Sequence, residues 1–388
     1  RAIAAAERAF ETWKRTPVAE RARLQKAAAR LMRAEANAIG RTLTLELGRP
    51  LAAAVTEIER SADLLDVYAE EGLRLTAEMP MTSVSGEKMM VTREPVGVVV
   101  AITPFNYPIT LLTFKLGAAL IAGCTMVAKP AEDTPLSTMM LADLFHRAGF
   151  PAGVFNVVTG RGTGIGKAMI EHPVPRKIAF TGGTAAGKAI AAAAVQTMKR
   201  LTLELGGQSP AIVCSDADLD VAAAAIARHG FANSGQFCYR VNRCYVERPV
   251  YEDFLAKLKC HVDKLKVGDG FDASCAMGPL VKIYANSERQ SDDARNKGAR
   301  ILTGGKRLTG GLYDGGWFFP PTLIADADHS MLVMTEETFG PVLGIMPFDD
   351  RREALKLANQ TRYGLAGFVF SENLATALTL AEGIEAGS

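Results

Sequence analysis

A regular alternation of strand and helix patterns, which begins at residue 96, constrains the fold of this chain most strongly. Residues 96–102 form a nearly continuous β-branched run, as expected of a strand that is buried on both faces. Further strand patterns follow at 124–128, 154–158, 177–180 and 200–205. Helix patterns lie between them at 110–122, 134–147, 164–171 and 185–198. Such alternation predicts a parallel sheet of the α/β class, with ligands bound beyond the carboxyl ends of its strands.

A second alternating block follows and predicts a second α/β domain. Its strand patterns lie at 211–214, 243–247, 299–302, 322–324 and 366–370, and its helix patterns at 218–232, 250–265, 285–298, 352–359 and 372–383. Residues 1–72 carry an Ala-rich helical pattern that is expected to cover the first sheet. Residues 73–95 change character, with a short strand pattern at 89–92, and are expected to form an excursion from the domain.

Composition excludes several classes of function. The chain has 388 residues, with 48% hydrophobic and 22% charged residues, as in ordinary soluble proteins of two domains. A net charge of +2 argues against nucleic-acid or membrane-surface binding, and the nearly apolar run at 116–128 is too short to span a bilayer. Six scattered cysteines without C-x-x-C spacing indicate free thiols and a reducing compartment, so we expect a cytoplasmic location. The chain opens within a helix pattern and stops where another strand is expected, so segments are expected to be missing at both ends.

Cys238 is the candidate nucleophile. It follows Gly235, Gln236 and Phe237, so the backbone before it can approach a substrate closely. Thiolates attack carbonyl carbons well, and only the ionised sulfur does so. For an isolated cysteine the commoner alternative is a small buried hydrophobic residue, so the neighbouring motifs must decide.

Glu204 is the candidate general base. It ends a strand pattern just before Gly206 and Gly207, where the boundary between the two predicted domains falls. This position predicts that Glu204 and Cys238 flank a cleft between domains, a common place for active sites. A base that activates water requires a partly desolvated carboxylate with a raised pKa. A surface glutamate at a strand end is the alternative.

Loops at the predicted strand ends carry further polar groups. Asn106 follows the first strand and could hold an oxyanion through its amide, although a capping asparagine in a proline-rich turn is the alternative. Lys129 and Glu132 follow the next strand and could reach ribose hydroxyls, or form a surface ion pair. A carboxylate there repels a 2′-phosphate and favours NAD over NADP.

A glycine-rich turn after the strand at 177–180 could bind a pyrophosphate. Gly182 and Gly183 precede a helix of small residues, whose first N–H groups attract anions. Neither this turn nor the cluster that contains Gly162 has the G-x-G-x-x-G spacing, so each signal is weak when it is taken alone.

Taken together, these motifs resemble the NAD(P)-dependent aldehyde dehydrogenase superfamily, closest in look to its succinate-semialdehyde and lactaldehyde branch. The order and spacing of Asn106, Lys129, Glu204, Cys238 and the 336–341 segment carry the resemblance, which covers essentially the whole chain.

The resemblance implies a covalent mechanism. Cys238 would attack the aldehyde to form a thiohemiacetal, whose oxyanion is held by Asn106 and the backbone N–H of Cys238. Hydride transfer would leave a thioester, which is hydrolysed by water that Glu204 activates. Lys115 matches a lysine that is kept near the site in many members.

The resemblance also implies NAD as the cofactor, with NADP possible, and no metal. Lys129 and Glu132 would hold the adenosine ribose, while Glu337 would bind the nicotinamide ribose beside Phe339. The full set of expected cofactor-binding residues is Ile102, Thr103, Pro104, Phe105, Lys129, Glu132, Gly162, Gly182, Gly183, Gly187, Leu205, Glu337 and Phe339. Gly183 stands where many members have serine, which removes one expected pyrophosphate contact.

The expected substrate is a small aldehyde with a polar or anionic tail, such as a short semialdehyde or hydroxyaldehyde. Phe114, Phe237 and Arg240 are the candidate contacts. Arg240 could meet the anionic group, or it could pack outward or against the domain interface.

The resemblance implies a role for each part of the chain. Residues 1–72 and 96–206 would form the Rossmann-like NAD-binding domain, and residues 207–388 the catalytic domain. Residues 73–95 would belong to the oligomerisation arm of a homodimer or homotetramer. No nucleic-acid or membrane partner is expected.

Three other functions fit parts of the same pattern. A CoA-acylating dehydrogenase shares the fold but usually lacks the general base, so Glu204 argues against it. An inactive structural member is opposed by the presence of Cys238, Glu204 and Asn106 together. A cofactor-free cysteine hydrolase is opposed because no histidine stands out as a catalytic partner.

Overall fold

The computed structural model describes residues 1–281 and 284–388, and the chain divides into two compact units. Unit 1 consists of Arg1–Glu46 and Ala52–Leu205, and unit 2 of Leu47–Leu51 and Gly206–Ser388. The roles that the resemblance assigns to 1–72 with 96–206, to 73–95 and to 207–388 are not tested by this division and stay predictions.

Unit 1 is built on the parallel sheet that the alternation at 96–205 predicts. Its strands are β1 (Val98–Ile102), β2 (Thr125–Lys129), β3 (Phe155–Val157), β4 (Lys177–Thr181) and β5 (Arg200–Glu204). The order across the sheet is β3-β2-β1-β4-β5, and every pair is parallel. β1 is central, which explains its run of buried valines. All five strands end at the same edge, so the loops that follow them are neighbours.

Eight helices belong mainly to unit 1. They are α1 (Ala2–Trp13), α2 (Val18–Ala34), α3 (Ala36–Leu47), α4 (Leu51–Leu73), α5 (Pro108–Ile121), α6 (Leu136–Arg147), α7 (Lys167–Glu171) and α8 (Thr184–Val195). α5 begins at a proline, which suits the first helical position because its missing N–H has no helical partner there. A π-helical turn at Gly162–Gly166 precedes α7, where the sequence predicts the start of an ordinary α-helix.

The strand predicted at 89–92 is wrong. Residues 74–97 contain only one isolated antiparallel bridge, between Glu78 and Val91. A strand pattern without a neighbouring ladder does not make a stable sheet. This segment leaves large apolar side chains exposed, among them Met79, Met81, Val84, Met89 and Met90.

Unit 2 contains a mixed six-stranded sheet. Its strands are β6 (Ser209–Val213), β7 (Val241–Glu247), β8 (Arg300–Thr303), β9 (Thr322–Ala325), β10 (Val342–Phe348) and β11 (Phe368–Phe370). The order is β11-β6-β7-β10-β9-β8, and only the β8–β9 pair is antiparallel. β10 lies between β7 and β9, and the sequence patterns do not predict it.

Helices cover both faces of the second sheet. They are α9 (Leu219–Phe231), α10 (Tyr251–Val262), α11 (Tyr284–Asn296), α12 (Leu332–Thr335), α13 (Arg351–Asn359) and α14 (Leu374–Gly383). Along β6 the buried side chains alternate between two hydrophobic clusters, with Ala211 and Val213 in one and Ile212 in the other. The sheet is therefore buried on both faces, as its uniformly apolar strands indicate.

No helix within residues 1–281 and 284–388 is long and apolar enough to cross a bilayer.

Candidate active site

Cys238 lies in the turn between a short 3₁₀ segment, Ala232–Gly235, and β7. It is not part of a disulfide, and its side chain is partly exposed. Just before it, Asn233, Ser234 and Gly235 have φ angles of +50°, +57° and +73°. A left-handed conformation costs a residue with a side chain about 1–3 kcal/mol, and such strain is typical of functional sites. The turn is therefore held in place by its surroundings.

Gly207 connects the turn of Cys238 to the carboxylate of Glu337. A Cβ added to Gly207 would overlap the carbonyl oxygen of Cys238, so only glycine allows this approach. The Gly207 N–H donates to Glu337 Oε1 at 3.0 Å, and a Cβ on Gly206 would overlap the same carboxylate. One glycine pair thus fixes two groups of the predicted site within unit 2.

The environment of Glu337 perturbs its titration. Burial raises the pKa of this carboxyl above 4.5, while the Gly207 N–H and the guanidinium groups of Arg240 and Arg362 partly oppose the shift. Because the folded-state pKa is raised, protonation of Glu337 begins at a higher pH than for an ordinary glutamate. A ribose hydroxyl would be bound best above that pKa, where the carboxylate is the acceptor.

The loop that carries Glu337 and Phe339 is fixed by amide side chains. Asn286 on α11 donates to the carbonyls of Glu337 and Thr338, at 3.3 and 3.1 Å. Gln208 donates to the carbonyl of Glu336 at 3.1 Å. Phe339 is held in a left-handed conformation with φ +45°, which sets the direction of the loop as it enters β10.

Arg240 does not have the exposed position that its predicted contact with the substrate requires. Its side chain is fully buried, and its Nε, Nη1 and Nη2 donate to Gly230 O, Asn242 Oδ1 and Val342 O at 2.8–2.9 Å. Burial lowers the pKa of Arg240 to about 9, and Glu337 opposes this shift, so the guanidinium stays charged at neutral pH. We therefore correct the expectation of anion binding: Arg240 braces the backbone after Cys238.

Two aromatic residues flank Cys238. Phe237 is buried, and its ring lies edge-on to Tyr239 with centroids 5.0 Å apart. Tyr239 is half-exposed, so of the two it presents the larger surface to a ligand. The sequence patterns predict a substrate contact for Phe237, and the geometry adds Tyr239 to the candidates.

In unit 1, Asn106 lies in the loop that follows β1. Thr103 N–H donates to Lys129 O at 3.2 Å, which ties this loop to the end of β2. Asn106 and Thr103 are both buried, while Ile102, Pro104 and Phe105 are partly exposed. The Thr103 hydroxyl is buried without a hydrogen-bond partner among the described residues.

The structure brings together two residues that are predicted to bind the adenosine ribose and the phosphates. Glu132 is exposed, and its Oε1 accepts from the Gly162 N–H at 2.9 Å. Lys129 is buried and donates to Pro130 O at 2.9 Å, while its aliphatic stem passes 3.8 Å from the position of a Cβ on Gly166. The loop after β2 therefore meets the π-helical turn.

The glycine turn after β4 is closely packed on one side and open on the other. A Cβ on Gly182 would lie 2.5 Å from the Phe180 ring, and one on Gly187 would overlap Leu205. Gly183 is the N-cap residue of α8 and has open space beside it. Because glycine has no side chain, it does not cap the helix N-terminus with a side-chain hydrogen bond. The first N–H groups of α8 are therefore available to an anion.

Glu204 differs from the predicted environment of a base. It ends β5, the edge strand, on the side of the strand where Arg200, Thr202 and Glu204 are exposed. The predicted desolvation of its carboxylate is therefore not seen. Its carbonyl accepts from the Gly182 N–H at 3.0 Å, so the backbone of the candidate base joins the glycine turn.

Lys115 and Phe114 lie on α5 beside a cavity of about 400 Å³. Lys115 Nζ donates to Leu111 O at 3.1 Å and to Thr181 Oγ1 at 2.5 Å, which fixes the ammonium at the end of β4. Phe114 is 48% exposed, as a residue that meets a substrate must be. Lys177 and Arg200 add two further cations to the cavity wall.

The groups of unit 1 fit a nicotinamide dinucleotide. The buried Thr103 hydroxyl has no hydrogen-bond partner among the described residues, so it is available to a ligand. The first N–H groups of α8 have no side-chain cap. Lys129, Glu132 and Gly162 lie on adjoining loops at the carboxyl edge of the parallel sheet, where such sheets bind ligands.

The chain is similar to known proteins over its whole length. A family model described as the aldehyde dehydrogenase family matches residues 1–388. The succinate-semialdehyde dehydrogenase (NADP(+)) GabD of Escherichia coli (strain K12) is 41% identical over 388 residues, which cover 100% of this chain and 80% of that protein. The 3-sulfolactaldehyde dehydrogenase of Pseudomonas putida is 41% identical over 389 residues, covering 100% and 79%. A crystal structure of an E. coli NADP-dependent enzyme matches with a TM-score of 0.97 and 40% identity, covering 100% of this chain and 80% of that one.

These matches confirm both the resemblance drawn from the motifs and the α/β fold class with two domains. The individual site residues stay predictions, because the comparisons concern whole chains. The chain belongs to the aldehyde dehydrogenase family and is an NAD(P)-dependent oxidoreductase that acts on the aldehyde group.

Proposed function

We propose that this enzyme oxidises a short aldehyde with a polar or anionic tail to its carboxylic acid, with Cys238 as the nucleophile and Glu204 as the general base. The observation that carries the proposal is the contact of Gly207 with both the Cys238 carbonyl and the Glu337 carboxylate. It holds a partly exposed thiol and a candidate ribose ligand on one rigid glycine pair.

The first half of the reaction forms and oxidises a covalent adduct. The Cys238 thiolate attacks the aldehyde carbon, and the carbonyl π electrons move to oxygen to give a tetrahedral thiohemiacetal. The Asn106 amide and the Cys238 N–H stabilise that oxyanion, a type of interaction worth about 3 kcal/mol. The oxidised nicotinamide, when bound, supplies the acceptor for the hydride that leaves the former aldehyde carbon, and Cys238 then carries a thioester.

The second half releases the acid. Glu204 takes a proton from water as the water oxygen attacks the thioester carbon. Collapse of this adduct breaks the carbon–sulfur bond, frees the carboxylic acid and regenerates the Cys238 thiolate. Lys115, fixed between Leu111 and Thr181, contributes a nearby positive charge that favours anionic intermediates.

We propose NAD rather than NADP as the preferred cofactor. The support is Glu132, an exposed carboxylate held by the Gly162 N–H, which would accept from a ribose 2′-hydroxyl and repel a 2′-phosphate. Relatives that are named for NADP, such as GabD, make this preference a direct point of test.

Support for an anionic tail on the substrate comes from the names of two relatives, a succinate-semialdehyde dehydrogenase and a 3-sulfolactaldehyde dehydrogenase. Since Arg240 is buried, we assign the substrate contacts of this chain to Phe114 and Tyr239, with the buried Phe237 ring packed against Tyr239. We also propose a cytoplasmic location, since none of the six cysteines, all of them among the described residues, forms a disulfide, and a homodimer or homotetramer assembled through residues 73–95.

The decisive experiment is an aldehyde panel with NAD and NADP, in which product acid and acyl-CoA are both quantified with and without added CoA. We expect acid formation, with NAD preferred and succinate semialdehyde ahead of an uncharged aldehyde of equal length. The Cys238→Ala variant should lose activity and keep cofactor binding, whereas Cys260→Ala, which removes an exposed free thiol, should act like the parent enzyme.

The Glu204→Gln variant should release one equivalent of NADH per site and then stall at the thioester. Thioester hydrolysis at the parental rate in this variant would contradict the proposed base. Acyl-CoA formation in excess of acid would instead support the CoA-acylating alternative.

A further inference from the structure

The turn before Cys238 is held by the hydrogen bonds of three buried side chains. Asn233 Nδ2 donates to Gln236 O at 3.2 Å, and Gln236 Nε2 donates back to Asn233 O at 3.1 Å. Ser234 Oγ donates to Gly278 O at 2.8 Å. Asn233, Ser234 and Gln236 are all buried. These bonds bridge the three residues with positive φ, which residues with side chains adopt only when neighbouring groups determine it.

The side-chain oxygen of Asn233, Oδ1, accepts from a residue far away in the sequence. Arg49 Nε donates to Asn233 Oδ1 at 3.1 Å, and the Arg49 side chain is only 3% exposed. A charged donor strengthens a hydrogen bond and fixes which way round the asparagine amide lies. Arg49, which can only donate, and the Gln236 carbonyl, which can only accept, together fix Asn233 with Oδ1 toward Arg49 and Nδ2 toward Gln236.

The segment that carries Arg49 is itself fixed within unit 2. Leu51 N–H donates to Gly270 O at 2.8 Å. A Cβ on Gly278 would overlap the carbonyl oxygen of Gly48, and a Cβ on Gly48 would overlap Pro279. Two glycines thus allow the backbones at 48 and 278 to touch. Arg49 bonds Asn233, and Ser234 bonds Gly278 O, so the two touching segments are each hydrogen-bonded to the turn at 233–235.

We propose that Arg49 is a positioning residue for the Cys238 thiol, acting through Asn233 and the left-handed turn at 233–235. This inference rests on the proposed function, in which Cys238 is the nucleophile. Loss of the Arg49 bond frees the Asn233 amide to rotate and the turn to relax toward ordinary φ values. The thiol then moves away from the attacking position, although the sheet and helices of unit 2 remain intact.

The test measures the reactivity of Cys238 directly, by iodoacetamide alkylation that is followed by mass spectrometry of the Cys238 peptide across a pH series. We expect Arg49→Gln to reduce the alkylation rate and kcat together, by about 100-fold, with the KM for cofactor unchanged. Arg49→Lys, which keeps a cationic donor for Asn233 Oδ1, should recover part of the rate that Arg49→Gln loses. Arg248→Gln is the matched control, since it removes an exposed arginine of unit 2 that pairs with Asp349.

A double-mutant cycle separates positioning from general stability. Asn233→Gly permits the left-handed backbone but removes the acceptor, so adding Arg49→Gln to it should cause little further loss. Parental alkylation in a folded Arg49→Gln protein overturns the proposal, as does full additivity in the cycle. If Arg49→Gln does not fold, Asn233→Gly against the parent decides the question, because it removes the acceptor of Arg49 but permits the left-handed turn, and parental alkylation in it would overturn the proposal. Should Cys238 of the parent react no faster than Cys260, the proposed function fails instead.

Discussion

Arg240 and Arg49 are two buried cations whose hydrogen bonds reach the chain on either side of Cys238. Arg240 bonds Gly230 and Val342 and so fixes the chain after Cys238, while Arg49 bonds Asn233 before it. In the sequence, Arg240 stands out because it is two positions from the nucleophile. Arg49 has no such signal, because it lies in a Gly-Arg-Pro stop that reads as the end of a helix.

Substitution of Arg240 tests the structural assignment. We expect Arg240→Ala to lower the free energy of unfolding by about 3 kcal/mol, because it leaves buried carbonyl acceptors unpaired. It should reduce kcat/KM for carboxylated and neutral aldehydes by the same factor, because no contact with the tail is lost. Urea denaturation and steady-state kinetics on the two aldehydes provide the measurements. A selective loss on the carboxylated aldehyde would restore the anion-binding role that we have set aside.

Prediction from sequence can name residues that the structure brings together, although their contact with a cofactor stays a prediction, and it fails where burial decides the outcome. Glu132 and Gly162 were both assigned to the cofactor, and the structure joins them by a hydrogen bond. Glu204 was expected to be desolvated, but an edge strand leaves it exposed. Burial of this kind depends on what covers a strand, and no local pattern encodes it.

β10 is the clearest failure at the scale of elements. It occupies the middle of the second sheet, yet Gly344 and Pro347 interrupt its sequence, and both are typical strand breakers. Gly344 has a packing reason, since a Cβ there would lie 2.7 Å from Met334 Sδ and 3.1 Å from Val333. Gly344 is required by its contact with α12, and as a strand breaker it prevents β10 from being predicted from the sequence.

The Gly344 contact supports a stability prediction. We expect Gly344→Val to lower the free energy of unfolding by about 1–3 kcal/mol, because the added methyl groups overpack α12 against β10. Gly315→Ala is the matched control, since a Cβ at Gly315 has no atom within 4 Å. Denaturant unfolding of both variants measures the difference. Equal denaturation midpoints for the two variants would show that α12 shifts to accommodate the larger side chain without loss of stability.

The helix and strand patterns of the parallel sheet, by contrast, predicted the elements well. β1, β2 and β4 are found within a few residues of their predicted bounds, because buried parallel strands are nearly continuous apolar runs. The strand predicted at 89–92 shows the limit of this rule: its residues have the right propensity but lack a ladder.

On the scale of the whole molecule, neither unit contains the complete set of proposed catalytic groups. Asn106 and Glu204 belong to unit 1, and Cys238 and Glu337 to unit 2. The exposed apolar side chains of residues 74–97 are a further feature at this scale. Several exposed apolar side chains on one segment are typical of an interaction site, and the homo-oligomer built through this segment stays a proposal.

This surface gives the last prediction. We expect a protein with Met81→Glu and Met90→Glu to sediment as a 41.4 kDa monomer, while the parent sediments as a multiple of that mass. Met81 and Met90 are 97% and 70% exposed, so the changes should not disturb folding. Leu374→Glu alters an equally exposed residue of unit 2 and is the control. An unchanged oligomer in the double variant would exclude residues 73–95 from the interface.

The tie between Arg49 and Asn233 also has a consequence during synthesis of the chain. The two residues are 184 positions apart, so at 5–20 residues per second Arg49 leaves the ribosome roughly 9–37 s before its acceptor. Until then Arg49 lacks this acceptor. Because Ser234 bonds the Gly278 carbonyl, the hydrogen bonds that hold the turn before Cys238 are complete only after residue 278 has also been made. At that point only β6 and β7 of the six strands of the second sheet have been synthesised, so these bonds can form before the other four strands exist.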